Sequence, residues 1–260
     1  GAIFNPTAGQ LNDEAVRLAG MLAKSDTLIN LPLAMNIAFA TVLVPAIAKC
    51  KAVGNAAKIK EYIDSSLLTS VALVLPCAAG YMVLAQPIYN LIYPNAPLGF
   101  ELLQLSAVSL IFTALNQTVT AALQGLGKVY LPAAALAAGC IIKVILNCVL
   151  ISVPQINIYG AVIGSIACQL AVFIIEFCCL RRTAPDGIAI KRMFAKPVIC
   201  NVLMGMATYY IYKIVYGLSL SNAIALLIAI AASAILYGAF IIIFKVFAPE
   251  QLAKIPVLKT

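Results

Sequence analysis

Residues 131–153 read LPAAALAAGCIIKVILNCVLISV and contain a single charged side chain, Lys143. An α-helix needs about 20 mainly apolar residues to cross the hydrocarbon core of a bilayer, and this run is long enough. Runs of the same kind recur along the chain. They predict an all-α, polytopic transmembrane helix bundle of about seven helices. The predicted spans are Leu28–Ala48, Leu67–Tyr89, Leu102–Leu123, Leu131–Val153, Ile158–Leu180, Val198–Tyr216 and Ala223–Phe247.

The composition agrees with a membrane location. Hydrophobic residues make up 63% of the 260 residues, charged residues make up only 10%, and the mean hydropathy is +1.04. In a soluble domain, roughly a quarter of the residues are charged. This chain has too few charged residues to cover its surface with them. The apolar runs are continuous rather than alternating, which disfavours a transmembrane β-barrel.

Proline and glycine mark several of the predicted boundaries. Gly125-Leu126-Gly127-Lys128 ends the third run. It lacks the full spacing of a phosphate-binding loop and a preceding strand, so it predicts a helix-to-helix turn. Pro132 follows where a first helical turn tolerates proline, and residues 154–157 separate the fourth run from the fifth. Pro76 lies inside the second run and predicts a kink there.

Basic residues predict the orientation. Thirteen of the seventeen Lys and Arg residues lie in residues 49–66, 124–130, 181–197 and 245–260, which a seven-helix arrangement places on one side. The positive-inside rule puts that side, and the C-terminus, in the cytoplasm and the N-terminus outside. Because the net charge of +8 is spread among these loops, it is attributed to topology rather than to nucleic-acid binding.

Metal sites and hydrolytic active sites are disfavoured, because the residues that usually form them are missing. The chain has no histidine, and its eight cysteines form no C-x-x-C pair, so no metal site or cofactor is expected. Most of the cysteines lie within or beside apolar runs and are interpreted as buried free thiols that pack as small hydrophobic side chains. No catalytic residue is assigned, and the chain is not expected to be an enzyme because the usual general base is missing.

Polar side chains recur every three or four residues along the third run, which places them on one helix face. Two interpretations remain open for this polar face. It makes hydrogen bonds between helices, which is common in membrane bundles, or it forms the wall of a hydrated cavity. Its members are Ser106, Ser109, Thr113, Asn116, Gln117, Thr120 and Gln124.

Lys143 stands near the middle of the fourth run, where a lysine costs at least about 2.5–3.5 kcal/mol. It is therefore expected to face a cavity or a partner, with Asn147, Gln169 and the polar face of the third helix around it; packing against helix carbonyls is the alternative. Glu176 shares a face of the fifth run with Gln169, and it either contributes to the substrate path or is a solvated interfacial acid. The candidate substrate path comprises Lys143, Asn147, Gln169, Asn116, Gln117, Thr113, Thr120 and Glu176.

Small residues predict one close helix contact. Gly160 and Gly164 form a small-x-x-x-small pair in the fifth run, and residues 133–139 give the fourth run a thin surface. The two helices are expected to approach closely.

Several motifs resemble the stage V sporulation protein B group, which comprises polysaccharide-biosynthesis membrane proteins. This group belongs to the multidrug/oligosaccharidyl-lipid/polysaccharide exporter superfamily, which also contains lipid II flippases. The resemblance covers the chain from about residue 28 to its end. The motifs are Leu31-Pro32-Leu33-Ala34, Leu43-Val44-Pro45-Ala46-Ile47, Leu123–Lys128, Leu131-Pro132-Ala133, Gly139–Lys143 with Asn147, Gly160–Gly164 and Pro249–Leu252.

The resemblance implies one lobe of a two-lobed, fourteen-helix fold of the MATE type, in a bacterial cytoplasmic membrane. This chain would supply the C-terminal lobe of a flippase or exporter that moves a lipid-linked oligosaccharide or cell-wall precursor by alternating access. Its partners would be membrane lipid, the lipid-linked glycan and the missing N-terminal lobe. The resemblance also implies that the last two helices border a groove for the lipid tail. Three segments are expected. Residues 1–27 form an extracytoplasmic leading segment, residues 28–180 form five helices, and residues 181–260 form the last two helices and a cytoplasmic tail.

Other functions remain open. A cation-coupled multidrug exporter of the same superfamily is one alternative, and a membrane scaffold in envelope or spore assembly is another. A lipid-modifying enzyme is disfavoured by the missing histidine and the scarce acids. The chain lacks an initiator Met and a signal peptide, so it is expected to be a fragment of a longer transporter.

Overall fold

A computed structural model describes residues 8–94, 99–153, 156, 158–184, 190–218, 221–244 and 246. The described residues form seven helices and no strand. All seven helices contain a segment long and apolar enough to cross a membrane, so the predicted number of spans is confirmed. The helices are α1 (Ala8–Ala52), α2 (Ala56–Ile92), α3 (Phe100–Gly125), α4 (Tyr130–Leu150), α5 (Ile158–Thr183), α6 (Ile190–Gly217) and α7 (Asn222–Ile243).

The first two helices extend well beyond the predicted spans. Helix α1 has 45 residues, which at 1.5 Å per residue is roughly twice the ~30 Å thickness of the hydrocarbon core. Most of the leading segment 1–27, expected outside the first span, therefore continues the α1 helix from Ala8. The predicted loop 49–66 shrinks to residues 53–55. Hydropathy locates only the part of a helix that lies in lipid, so it misses polar helix ends.

Glycine ends α1 and α3 in the same way. Gly54 has φ +67° and Gly127 has φ +76°, a left-handed conformation that glycine adopts without strain. After α3, the amide of Lys128 donates to the carbonyl of Leu123 at 2.8 Å, and that of Gly127 donates to Gln124 at 2.8 Å. This paired pattern is a Schellman motif, and it confirms the predicted turn. Pro132 lies in the first turn of α4, as predicted.

The kink in the second helix is confirmed, but it is not at Pro76. Helical geometry is lost at Leu84, where φ is −106° and ψ is 15°. Pro87 lies three residues further on, and its ring clashes with the carbonyl four residues before it. The bend therefore follows from Pro87. Across the bundle, the side-chain amide of Asn222 on α7 donates to the Pro87 carbonyl at 3.0 Å.

Another proline is compensated by a tyrosine. Pro32 lies inside α1 and has no amide hydrogen, so it cannot bond the carbonyl of Leu28 one turn earlier. The hydroxyl of Tyr81 on α2 donates to that carbonyl at 2.7 Å. This contact satisfies a backbone acceptor that would otherwise face the apolar interior.

Helix α3 lies at the centre of the bundle. It packs against α1, α2 and α5, while α4 packs mainly on α5, and α6 and α7 pack on each other and on α2. Two apolar clusters fill the α1–α2–α3 interface. The cluster at the Gly125 end of α3 includes Ile47, Ile63, Leu67, Val119 and Leu123. The cluster at the Phe100 end includes Leu33, Ala85, Tyr89, Leu103 and Leu110.

The predicted close approach of the fourth and fifth helices is confirmed. A Cβ atom built on Gly139 would lie 2.5 Å from Val172 Cγ2 and 3.1 Å from the Cys168 carbonyl oxygen. On α5, a Cβ atom on Gly160 would lie 2.8 Å from Leu150 Cβ. Only glycine lets the two backbones come this close. The rest of α4 presents large exposed apolar side chains, such as Ile141 and Val144.

The interpretation of the cysteines is correct only in part. All eight are free thiols, but only Cys50, Cys168 and Cys200 are buried. Cys140, Cys148 and Cys178 are exposed on the apolar outer surface of α4 and α5. A cysteine in a lipid-facing helix needs no protein neighbour, so hydrophobicity alone did not indicate burial.

Candidate functional site

The polar face of α3 is divided between two crevices. Ser106 and Ser109, near the Phe100 end, line the first. The five polar residues nearer the Gly125 end, from Thr113 to Gln124, line the second. The polar face therefore lines the two crevices in succession along most of α3, and it is called the polar wall.

The first crevice is called the Lys143 crevice. It has a volume of about 190 Å³ and draws residues from α1, α3, α4 and α5. Lys143 on α4 and Asp26 on α1 both line it, and the two opposite charges attract each other. It is lined by Leu22, Asp26, Ile29, Ser106, Ser109, Lys143, Asn147, Ala161, Val162 and Ser165.

The surroundings of Lys143 differ from the expectation in two respects. Asn147 and the polar face of α3 lie beside it as predicted, but Gln169 lines the other crevice. Gln169 is seven residues beyond Val162, or about two helical turns further along α5. Asp26 was not expected there, because it was assigned to a leading segment outside the membrane. The continuation of α1 through that segment brings the carboxylate to the lysine.

The second crevice is called the Glu176 crevice. It has a volume of about 410 Å³. Glu176 on α5 is only 2% exposed, so it is not a solvated interfacial acid. The hydroxyl of Thr120 on α3 lies 2.9 and 3.0 Å from its two carboxyl oxygens. The crevice is lined by Thr113, Asn116, Gln117, Thr120, Gln124, Val129, Pro132, Ala133, Leu136, Gln169, Val172 and Glu176.

Side-chain amides join α3 to both of its polar neighbours. Asn116 Nδ2 donates to the backbone oxygen of Gln169 on α5 at 2.9 Å and to its Oε1 at 2.8 Å. Asn36 Nδ2 on α1 donates to the Ala114 carbonyl and to Gln117 Oε1, both at 2.9 Å. Both interpretations of the polar face therefore apply. The same side chains bond neighbouring helices and line a crevice.

Asn36 was missed in the sequence analysis. It is fully buried and lies inside the run Leu28–Ala48, so a signal was present. A polar amide within an apolar span needs a partner, and the third run offered one.

Four buried amide oxygens have no hydrogen-bond donor among the described residues. They are the Oδ1 atoms of Asn36, Asn116, Asn147 and Asn201. Buried polar atoms are usually paired, and an amide oxygen accepts from hydroxyl or N–H groups. Asn116 and Asn147 line the two crevices, so the polar wall offers acceptors as well as the Lys143 cation.

A third, mainly apolar pocket lies between α2, α6 and α7. It has a volume of about 390 Å³. On its wall, the hydroxyls of Thr208 and Ser233 are 2.6 Å apart and join α6 to α7. The pocket is lined by Pro76, Cys77, Gly80, Tyr81, Leu84, Ile88, Met204, Thr208, Ile230, Ser233, Ala234 and Tyr237. Within the described part of the chain, no three His, Cys, Asp or Glu side chains come together as metal ligands.

Seven helices that are long and apolar enough to span a membrane, a central polar wall and an apolar side pocket define a multi-pass membrane protein. The family model for the lipid II flippase MurJ matches residues 18–229. The chain therefore belongs to the lipid II flippase MurJ family.

Three curated proteins from Bacillus subtilis (strain 168) are similar to this chain. The uncharacterized membrane protein YabM is 32% identical over 166 residues, covering 64% of this chain and 31% of the relative. The lipid II flippase MurJ is 30% identical over 189 residues, covering 69% and 34%. Stage V sporulation protein B is 24% identical over 255 residues, covering 89% and 44%. The expected resemblance is thus confirmed.

A solved structure supports the same fold. The lipid II flippase MurJ in its inward closed conformation superimposes with a TM-score of 0.67 at 18% identity, covering 87% of this chain and 47% of that one. The chain therefore spans less than half the length of each of these relatives.

Proposed function

We propose that this chain forms one lobe of a flippase that moves a lipid-linked cell-wall precursor across the bacterial cytoplasmic membrane by alternating access. The observation that carries the proposal is the polar wall of α3, which lines two successive crevices in an otherwise apolar bundle. A purely structural bundle gains little from such a wall, since polar residues in a membrane are costly.

The wall fits the head group of such a substrate. A lipid-linked glycan carries an anionic pyrophosphate and many sugar hydroxyls. Lys143 supplies a cation for the phosphate, and the polar side chains that line the two crevices, such as Thr113 and Ser109, supply hydrogen-bond partners for hydroxyls. Asp26 lines the same crevice and attracts the lysine, and a phosphate that enters would compete with it for the ammonium group.

The apolar pocket fits the tail. A polyprenyl chain gains free energy from an apolar surface and has no use for a polar path. The pocket between α2, α6 and α7 has about 390 Å³ and mainly apolar walls. It is separate from the two polar crevices, so head and tail would follow different routes.

The second lobe is part of the proposal. Access alternates when one repeat rocks against the other, and this chain spans 44% of stage V sporulation protein B and 47% of the solved MurJ chain. We propose that a second lobe packs against the polar crevices, and that the chain divides into residues 1–27, 28–180 and 181–260. Because α1 is helical from Ala8, the first of these segments joins the second without a break.

The orientation is also a proposal, based on the basic residues. We expect a cysteine introduced at residue 95 to react with an impermeant reagent in intact cells. A cysteine that replaces Lys58 is expected to react only after the cells are opened. The reverse pattern would refute the orientation.

The central test uses the full-length protein in sealed vesicles that contain lipid II. Exposure of the head group on the opposite face is followed with an impermeant reagent or enzyme. We expect flipping by the full-length protein and none by this 260-residue chain alone. Flipping by the chain alone would refute the two-lobe argument. Absence of flipping by the full-length protein, with normal folding, would favour a scaffold.

A cation-coupled exporter is the second candidate, and the burial of Glu176 favours it. Intramembrane carboxylates commonly mark ion pathways, and this one is 2% exposed. Efflux of small dyes driven by a cation gradient, without movement of lipid II, would support the exporter and exclude the flippase.

A further inference from the structure

We propose that Glu176 is a proton-binding site, protonated when the Glu176 crevice is closed and ionised when water enters it. The proton-binding step is a property of this chain. Its coupling to substrate movement rests on the proposed function.

The immediate surroundings of Glu176 do not support a charge. An ionised carboxylate offers about four acceptor sites, and a buried one needs several donors or a cation. Glu176 is 2% exposed, and Thr120 supplies one hydroxyl proton to its two oxygens. A protonated carboxyl group fits this environment better, because it is neutral and its own O–H donates to the threonine oxygen.

The Glu176 crevice is otherwise uncharged in the described part of the chain. Among its described lining residues, which come from α3, the α3–α4 turn, α4 and α5, Glu176 is the only titratable side chain. Arg181 and Arg182 lie in the last turn of α5 and are exposed, and two further cations have other partners. Lys51 on α1 donates to the Leu126 carbonyl at 2.8 Å, and Lys143 faces Asp26 in the Lys143 crevice. A proton is therefore the simplest means by which Glu176 loses its charge.

The position of Glu176 makes its charge depend on the crevice. Thr120 and Gln124 lie in the last two turns of α3, so the crevice is near the end that the proposed orientation places in the cytoplasm. If the crevice widens, water hydrates the carboxylate and the proton leaves to that water. If the crevice closes, the carboxylate loses hydration and takes a proton back. Only an O–H bond forms or breaks, and the proton comes from and returns to water.

This exchange links pH to conformation. A proton binds the closed form more tightly than the open form, so protonation shifts the population toward the closed form. In a flippase, that shift would favour the state in which the Glu176 crevice is sealed. An alternating cycle would then release the proton each time the crevice opens.

Infrared spectroscopy of the full-length protein in lipid nanodiscs tests proton binding without any transport assay. We expect a protonated-carboxyl band at pH 7 that is lost in Glu176→Gln and retained in Glu61→Gln, which changes an exposed acid on α2. Thr120→Val is the second variant. It keeps Glu176 and removes its hydrogen-bond partner, so the band should persist and move to higher frequency.

Three results would overturn the proposal. One is the absence of the band at pH 7 in the wild-type protein. Another is the same band in Glu176→Gln. The third is a band that sodium ions remove at constant pH, which would identify a metal-cation site instead. A shift on Thr120→Val supports the assignment even if Glu176→Gln does not fold.

Transport then tests the coupling separately. We expect Glu176→Gln to reduce flipping by at least about tenfold and to remove its pH dependence, while Glu61→Gln retains both. If the infrared band is assigned to Glu176 but the wild-type protein flips no lipid, the proposed function fails and the proton site stands. If flipping is normal and no band is found, the proton site fails alone.

Discussion

Replacement of Gly139 by alanine tests the contact that positions α4, the helix that carries Lys143. The new Cβ would lie 2.5 Å from Val172 Cγ2 and 3.1 Å from the Cys168 carbonyl oxygen. The valine methyl can rotate, but the backbone carbonyl cannot, so α4 and α5 must separate. Overpacking of this kind costs about 1–3 kcal/mol, and the better helix propensity of alanine offsets up to about 1 kcal/mol.

Gly238→Ala is the matched control, because a Cβ there meets nothing within 4 Å. Both substitutions place alanine in a helix, so the propensity gain cancels. The difference in their free energies of unfolding isolates the contact and should be about 1–3 kcal/mol. Denaturant unfolding of the full-length protein in mixed micelles measures it. Equal stabilities would show that α4 and α5 do not pack as described, and would remove the support for the Lys143 crevice.

Two further substitutions test other contacts of the structure. Lys143→Met in the full-length protein should lower the rate of flipping at least about tenfold, because the phosphate loses its cation. Lys213→Met, on the exposed side of α6, should leave the rate unchanged. Intact flipping by Lys143→Met at normal expression would exclude a role for Lys143. Tyr81→Phe should lower the free energy of unfolding by about 1–3 kcal/mol, because a buried backbone carbonyl is left unpaired. Tyr209→Phe, at an exposed hydroxyl on α6, should be neutral, and equal losses in both variants would contradict the role given to Tyr81.

The number of helices and the turns between them follow from local signals. An apolar run of about 20 residues has few alternatives to a membrane span. A glycine such as Gly127 ends a helix because it alone adopts positive φ without strain. The ends of α1 and α2 could not be found this way, since residues 8–27 and 56–66 are polar and helical at once. Hydropathy locates the membrane, and it does not show where the helix ends.

The part of the candidate site that lies on a single helix face could be predicted from the sequence. The spacing from Ser106 to Gln124 put the polar residues of α3 on one side, and they lie together. Contacts between helices were harder. Whether Lys143 shares a crevice with Asp26 or with Gln169 depends on how far α1 extends and on the register between α4 and α5. Neither quantity can be read from residue spacing within one helix.

Two kinds of contact hold α3, and they differ in how easily they exchange. Toward α1 and α2, α3 mainly buries close-packed apolar side chains such as Leu110 and Leu123, which separate only by opening cavities. The Asn36–Gln117 and Ser70–Thr118 hydrogen bonds lie among them. Toward α5 it makes the Asn116–Gln169 and Thr120–Glu176 hydrogen bonds. Such bonds average only about 0.6 kcal/mol in a membrane protein, and water or a sugar hydroxyl can replace either partner. The α3–α5 contact beside the Glu176 crevice is thus the one that can open at smaller cost, as a transport path requires.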